Sequence, residues 1–281
     1  MLSITRYERP NYRAVLELIY SQQHVHTHFD WYTAERWLDQ QAVPVLLAWQ
    51  GTELIGVLGA SDPLNGASWL RLLAVRDSAD VPAVLGRLWE IMRETLRRAG
   101  VAYVWLLVTN DWVQAVTPVF DARHAETIIT LRRDGVDLPA LRSSGVRVRP
   151  VHLEQDLGEV TRVDHTAFRA PWQLAQSDLR QAIRIASSCT VALVEGGIVG
   201  YQLSTRHRES GHLARLAVDP MVQGRGVGAA LLGDLLGGFA ARGVTAMTVN
   251  TQQSNERSQR LYTAFNFERN GFDMPAWLMT L

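Results

Sequence analysis

The chain has a single cysteine, no apolar run long enough to span a membrane, and no excess of either charge. Each shortage removes a class of explanation. One cysteine, Cys189 in SSCTVALV, cannot form an internal disulfide; it suits a reducing compartment and reads as a small buried residue of a strand. Lysine plus arginine number 28 and aspartate plus glutamate 28. Nothing global therefore draws the protein to nucleic acid or to an anionic membrane, and any anion must be bound locally. The opening MLSITRYERP lacks the apolar core of a signal peptide, so the expectation is a cytoplasmic protein. At 281 residues there is room for one large domain or two ordinary ones.

What is present is a repeat. LRLLAV at 70–75 lies against LARLAV at 213–218, and at the same offset of 143 positions Gly100-Val101 meets Gly243-Val244. LIGV at 54–57 lies close to that register against IVGY at 198–201. Landmarks in one order at nearly one offset imply two copies of one domain. The seam falls in GVDLPALRSSGVRVRP, 135–150, which carries turn formers and little periodicity. The expected domains are 1–143 and 144–281.

Within the second copy, an amphipathic stretch LGEVTRVDHTAF leads through RAPWQ to a helix near 177–185. Strands TVALVE and IVGYQLST follow, joined at Gly196-Gly197 as a hairpin. Then come LARLAV, the stretch QGRGVGA, a helix over about 226–242 closed by Gly243, the strand AMTVN and a helix over about 255–265. Apolar strands alternating with helices imply an α+β fold with a mixed, partly parallel sheet covered by helices. Three glycines in five residues are not needed merely to start a helix. They permit positive φ and let another molecule approach without a Cβ in the way, beside unpaired helix N–H groups that favour an anion. The alternative is a tight turn with close packing. A dinucleotide fingerprint fits poorly, because DPMVQ separates the loop from its strand and the next strand ends in Asn250 rather than an acid. A phosphate-binding P-loop lacks its lysine.

The motif Q/R-x-x-G-x-G/A, matched by Gln223, Gly226 and Gly228, resembles that of the GNAT superfamily of acyl-CoA-dependent N-acyltransferases. LARLAVDP and SNERSQRLYTAFNF are similar to its central strand and its later Asn…L-Y segment, with Asn266 in place of a helix-ending glycine. The resemblance implies two tandem GNAT-like domains and acetyl-CoA as donor, with no metal. It implies that the loop residues Gln223, Gly224, Arg225, Gly226, Val227, Gly228 and Ala229 hold the pyrophosphate. It also implies that the strand Leu216, Ala217, Val218 pairs with the pantetheine amides, that Asn255 contacts the pantetheine arm, and that Tyr262 faces the sulfur. Asn255 as a helix cap and Tyr262 as a core aromatic are the plainer alternatives. A phenol near the sulfur has a chemical use, protonating the departing thiolate.

Several expectations are less direct. At the 143 offset QGRGVGA falls on DVPAVLG, 80–86, where Asp80, Pro82 and restored side chains oppose an anion. The first copy is therefore expected not to bind CoA. Its HVHTHFDWY alternates His24, His26, His28 and Asp30, a set that zinc could use, but the GNAT resemblance puts a mobile loop there, and a solvated loop or substrate contact is preferred to metal. The base is undecided. In the branch that acetylates protein N-termini a glutamate occupies the position of Asn250, which accepts no proton. Glu209, His212, Asp164 and His165 are the candidates, His212 first because its ordinary pKa is near neutral. Phe168 and Trp172 form a candidate apolar wall, and with Asn250 make the expected substrate contacts. Neutralising a lysine-like amine at pH 7 costs roughly 4 to 5 kcal/mol and an α-amine only about 1, so the expected partner is a small molecule with a weakly basic amine. A protein N-terminus, a non-catalytic acyl-CoA holder and an interaction module remain open.

Overall fold

A computed structural model describes residues 2–40, 44–140 and 145–281. In chain order the elements are β1 Leu2–Arg6, α1 Tyr12–Ser21, β2 His24–Thr27, α2 Ala34–Leu38, β3 Val45–Gln50, β4 Glu53–Ala60, β5 Ala67–Val75, α3 Val81–Arg98, β6 Tyr103–Leu107 and α4 Asp111–Val116. There follow β7 Arg123–Asp134, β8 Arg147–Pro150, α5 Leu153–Ala167, α6 Gln176–Ile185, β9 Ser188–Val194, β10 Gly197–His207, β11 Ser210–Val218, α7 Val227–Ala240, β12 Ala246–Gln252, α8 Glu256–Ala264, β13 Glu268–Arg269 and β14 Met274–Thr280.

The contacts divide the chain into two compact units, one formed by the residues up to Glu126 with Met274–Leu281, the other by Thr127–Asp273. The seam expected between 143 and 144 lies outside the described residues, and the units do not follow it. The last strand of each copy packs with the other: β14 pairs antiparallel with β6, and β7 antiparallel with β12. A division read from sequence similarity alone misses such an exchange. The stretch expected to be only a connection, 135–150, also contains β8, a short edge strand on β9.

Each unit is a mixed sheet flanked by helices. In the second, the order is β7-β12-β11-β10-β9-β8, antiparallel except for the parallel pair β11 and β12. The first repeats it as β6-β5-β4-β3-β1, with β5 and β6 the parallel pair. Ala67 pairs with Tyr103 and Ser210 with Ala246, so the two parallel pairs stand at the same 143-residue displacement. Even the irregularities recur. A bulge leaves Arg71 without a partner on β4, and one leaves Ala214 without a partner on β10.

Local chemistry sets the element ends. Glu195 and Gly196 take φ of 51° and 85° in the β9–β10 hairpin, and Gly243 (φ 78°) and Asn266 (φ 62°) end α7 and α8 in the left-handed region. In α7 the residues Leu231, Leu232, Leu235, Leu236 and Phe239 are buried. All but Leu231 join Leu213, Met247 and Val249 in the core beneath the sheet, each contributing roughly 1.5–3 kcal/mol by burial. That packing fixes where the N-terminus of α7 meets the end of β11. Cys189 lies on β9, where burial pushes its thiol pKa up to about 12.

Candidate functional site

The site grows out of one divergence in the second sheet. β11 and β12 pair only from Ser210 with Ala246 to Leu213 with Val249, after which β11 runs on alone to Val218. The hydrogen-bond phase on its other edge decides which groups face the opening. Asp219 N–H donates to Val199 O at 2.8 Å, so Ala217 and Arg215 exchange bonds with β10 while the backbone groups of Leu216 and Val218 turn into the gap. A strand-like ligand finds unpaired amides there.

The mouth of the gap is the glycine loop. Gly224 and Gly226 both have φ of 82°, and a Cβ on Gly224 meets nothing within 4 Å, so its freedom serves the backbone path. Gly228 is different: a Cβ there lies 3.1 Å from Leu261 Cδ2, so the third glycine lets α7 and α8 pack closely. Gly226 caps α7 without a side chain. Ala230 N–H is the first to find a helical partner, Gly226 O at 2.9 Å, which leaves the N–H groups of Val227, Gly228 and Ala229 directed at the mouth.

Together these surfaces enclose a cavity of about 480 Å³, within the range of cofactor sites. It is lined by Leu216, Ala217, Val218, Gln223, Gly224, Gly226, Val227, Gly228, Ala229 and Asn255 among the expected residues, and on the substrate side by Ala167 and Phe168. Asn255 lines the cavity, and its Oδ1 accepts from Ser258 N–H at 3.1 Å as the cap of α8. Gln223 has a structural task too: its Nε2 donates to Val218 O at 2.9 Å, and Arg257 donates to its Oε1.

Arg225 belongs to the same loop. Its side chain is exposed outside the lining, and the guanidinium that lines the cavity is that of Arg257. The signal was available, for Arg257 is two residues past the capping Asn255, in a first turn that faces the loop. Ser258 and Leu261 complete that wall and were also missed.

Tyr262 is buried in the core beside Phe267, with ring centroids 5.8 Å apart, and does not itself line the cavity. Burial pushes its pKa above the ordinary phenol range against a smaller opposing hydrogen bond from Ser258, so its hydroxyl stays protonated near neutral pH. Ser258 stands between it and the cavity.

The base candidates separate clearly. Asp164 is fully buried and ion-paired: Arg215 Nε donates to its Oδ2 at 2.6 Å, Tyr201 OH donates to the same oxygen, and Leu174 N–H donates to Oδ1 at 3.0 Å. With its lone pairs so engaged it is no free base. The Nε2 of His165 is 2.9 Å from Leu174 O, which fixes that ring to the loop. Glu209 sits exposed in the turn before β11, and its carbonyl accepts from Thr245 N–H at 2.9 Å.

His212 stands at the closed end of the divergence, opposite Thr248 of β12. Its Nδ1 is 2.9 Å from Thr248 Oγ1, and that hydroxyl donates to Gly211 O at 3.4 Å. When that hydroxyl spends its proton on Gly211 O, Nδ1 carries the ring proton and Nε2 the lone pair. Burial lowers its pKa below the ordinary 6.5, so the ring is neutral at pH 7.

Asn250 lies exposed two residues beyond Thr248 on the same sheet face. Phe168 lines the cavity and lies 4.0 Å beneath the Arg215 guanidinium. Trp172 is not in the lining; its carbonyl accepts from Arg215 Nη2 at 2.6 Å, so it holds the loop in place.

A mixed sheet whose parallel pair parts over a glycine-capped helix is the GNAT fold, and the chain carries it in tandem. Residues 157–267 match the model of the Acetyltransferase (GNAT) family. Over 128 residues, 44% of this chain and 87% of the other, the sequence is 25% identical to the [Ribosomal protein bS18]-alanine N-acetyltransferase of Haemophilus ducreyi. Among solved structures, a tandem GNAT protein from the clavulanic acid biosynthesis pathway superposes with a TM-score of 0.62 at 14% identity, covering 100% of this chain and 98% of that one. A GCN5-related N-acetyltransferase from Sphaerobacter thermophilus does so with a TM-score of 0.63 at 15% identity, covering 99% and 95%. No helix among the described residues is long and apolar enough to cross a membrane.

Proposed function

We propose that the second unit transfers an acetyl group from acetyl-CoA to a weakly basic primary amine by direct attack. One observation carries this reading: the cavity joins unpaired strand amides at Leu216 and Val218 to a free helix N-terminus at 227–229. An extended amide-bearing arm ending in a pyrophosphate fits both surfaces, the first by strand-like pairing and the second by N–H groups and helix dipole. The two left-handed glycines leave room for the phosphates.

Acetyl-CoA supplies a thioester carbon to be attacked. Around it the protein binds, orients and moves protons. His212 Nε2 takes the proton lost by the amine nitrogen as the new C–N bond forms, and Tyr262 gives its phenolic proton, by way of Ser258, to the sulfur as the C–S bond breaks. Among the described residues neither a carboxylate nor His212 is in the lining of the cavity, and a neutral imidazole of lowered pKa at the closed end of the strand divergence is too weak a base for a lysine-like amine. An α-amino group or an amino sugar matches it, and a small molecule is the first choice of acceptor. A protein N-terminus is the second reading, favoured by the relative that acts on the alanine of a ribosomal protein.

The test is an amine panel assayed for thiol release from acetyl-CoA, including amino sugars, amino acids and alanine-initiated peptides. All 28 basic residues besides histidine are arginine. Acetylation of the enzyme's own lysines therefore cannot confuse the product analysis. Selective turnover of lysine-type amines at neutral pH overturns the reading, and binding of CoA with no thiol release makes the protein a holder.

Two variants test the roles. In the wild type, kcat/KM should fall with pH along two limbs, one at the acceptor amine's own pKa and one below pH 6.5 as His212 gains its proton; His212→Ala should lose about 10²-fold or more and abolish the lower limb alone. Tyr262→Phe should lower kcat about 10²-fold with CoA affinity unchanged, because the hydroxyl acts only on the leaving sulfur.

A further inference from the structure

The histidine-rich segment 24–30 has no part in the site above, yet it occupies a telling place. β2 pairs with β5, His24 with Val75, Val25 with Ala74, His26 with Leu73 and Thr27 with Leu72. β4 already holds the other edge of β5. β2 therefore lies on the edge that opens once β5 and β6 stop pairing at Trp69 and Trp105. Arg76 N–H donates to Ile55 O at 2.9 Å, so Ala74 and Leu72 serve β4 while the backbone groups of Leu73 and Val75 turn toward β2. His28 N–H donates to Arg71 O at 2.9 Å, which sets the same phase from the β2 side.

At the 143-residue displacement Leu73 and Val75 are Leu216 and Val218. In the second unit those amides face a cavity; in the first they face the backbone of His26 and His24. The rest of the first cleft agrees. The His24 ring meets Trp112 edge-on at 5.7 Å, and Trp112 stands where Asn255 lines the second cavity. His26 is only 2% exposed, its Nδ1 3.2 Å from Thr109 Oγ1. At the mouth, Asp80 Oδ1 accepts from Ala83 N–H at 3.0 Å and Pro82 has no N–H, so the helix N-terminus is already capped. The strand is tied at both ends. Asp77 Oδ1 lies 3.0 Å from Gln23 N and 3.0 Å from His24 Nδ1, while Arg71 Nη1 reaches His28 O at 2.9 Å and Asp30 Oδ2 at 2.5 Å.

We infer that β2 is a built-in substitute for the extended arm of the cofactor, which makes the first unit a self-filled copy that takes no acyl-CoA. The inference rests on reading the second cavity as the cofactor site. It also gives the histidine segment a purpose that is neither metal binding nor substrate contact. The corresponding residues of the second unit close α5 and line the side of the cavity at Ala167 and Phe168 instead of entering it.

Hydrogen–deuterium exchange on the intact chain, with and without CoA, reads both units at once, and calorimetry counts the sites. In the free protein the amides of Leu73 and Val75 should be protected and those of Leu216 and Val218 should exchange faster by tenfold or more. CoA should slow exchange at 216–218 and 224–229, change nothing at 72–75 or 81–86, and bind once. In Ala229→Asp that single site should weaken by about 10²-fold or more. A second equivalent of CoA, a site that keeps its affinity in Ala229→Asp, CoA-dependent protection at 72–75, or fast exchange there in the free protein each overturns the inference. Should the wild type bind no CoA at all, the proposed function fails, and the exchange pattern of the free protein still decides whether the first cleft is filled.

Discussion

Ala229→Asp is expected to weaken CoA binding by about 10²- to 10³-fold while leaving the fold at least as stable. Ala229 is the third residue of α7 and lines the cavity. A carboxylate in the first turn of a helix is favoured by the dipole by ~0.3–1 kcal/mol, so the free protein does not suffer. The same carboxylate competes for the N–H groups that the phosphates need. It also stands close to them: at ~5 Å and an effective dielectric of ~20, the nearer phosphate charge is repelled by roughly 3 kcal/mol, and the other, farther off and screened, by much less. That repulsion converts to the stated loss. Ala229→Asn has nearly the same shape without the charge and should lose less than tenfold. Calorimetric titration of the three proteins checks the order, alongside their melting temperatures. Equal affinity in all three removes the helix N-terminus from the binding site, and with it the argument for a pyrophosphate.

The parts of this site legible in the sequence are those whose chemistry is local. Gly224 and Gly226 announce a backbone in the left-handed region because few other residues go there, and Asn255 announces a cap three residues ahead of the N–H it serves. The doubled pattern LRLLAV and LARLAV carried the repeat, and the parallel strand pairs kept its register. What the sequence concealed depends on which edge of a strand finds which neighbour. HVHT reads as a loop with metal-like spacing, and nothing local says that its backbone enters the gap beside β5. The exchange of β7 and β14 was invisible for the same reason, since either strand has an apolar pattern that suits either sheet. Arg225 stood out because of the glycines on either side of it, yet its side chain is exposed outside the cavity that Arg257 lines. Asp164 and His165 have the residue types of a base, and only burial and the count of donors already on Asp164 exclude it.

Asp164→Ala is expected to cost about 3–5 kcal/mol of stability and to loosen the loop that flanks the cavity at Phe168. Arg215 projects from the free-running part of β11 onto the face covered by α5, with its guanidinium above Phe168. One carboxylate, one phenol and one carbonyl satisfy it: Asp164, Tyr201 OH at 3.0 Å from Nε, and Trp172 O. Asp164 in turn holds Leu174 N–H, so the pair fastens the 168–174 loop at Phe168 through the guanidinium above its ring and at Trp172 and Leu174 through hydrogen bonds. Removing the carboxylate strands a cation whose side chain is only 12% exposed, and an unpaired buried charge is far costlier than the pair was favourable. The double replacement Asp164→Leu with Arg215→Met should therefore recover much of the stability lost by the single one, since it leaves no charge behind. It should not recover activity. Without the fork that fixes Trp172 and Phe168, KM for the amine should rise more than kcat falls, and CoA affinity should hold within a fewfold because the pyrophosphate end of the cavity is built from other residues. Urea unfolding of the single and double variants, with amine and CoA titrations of the double, separates these outcomes. A loss below ~1 kcal/mol in Asp164→Ala shows that water reaches the guanidinium, and the loop must then be held by something other than the ion pair.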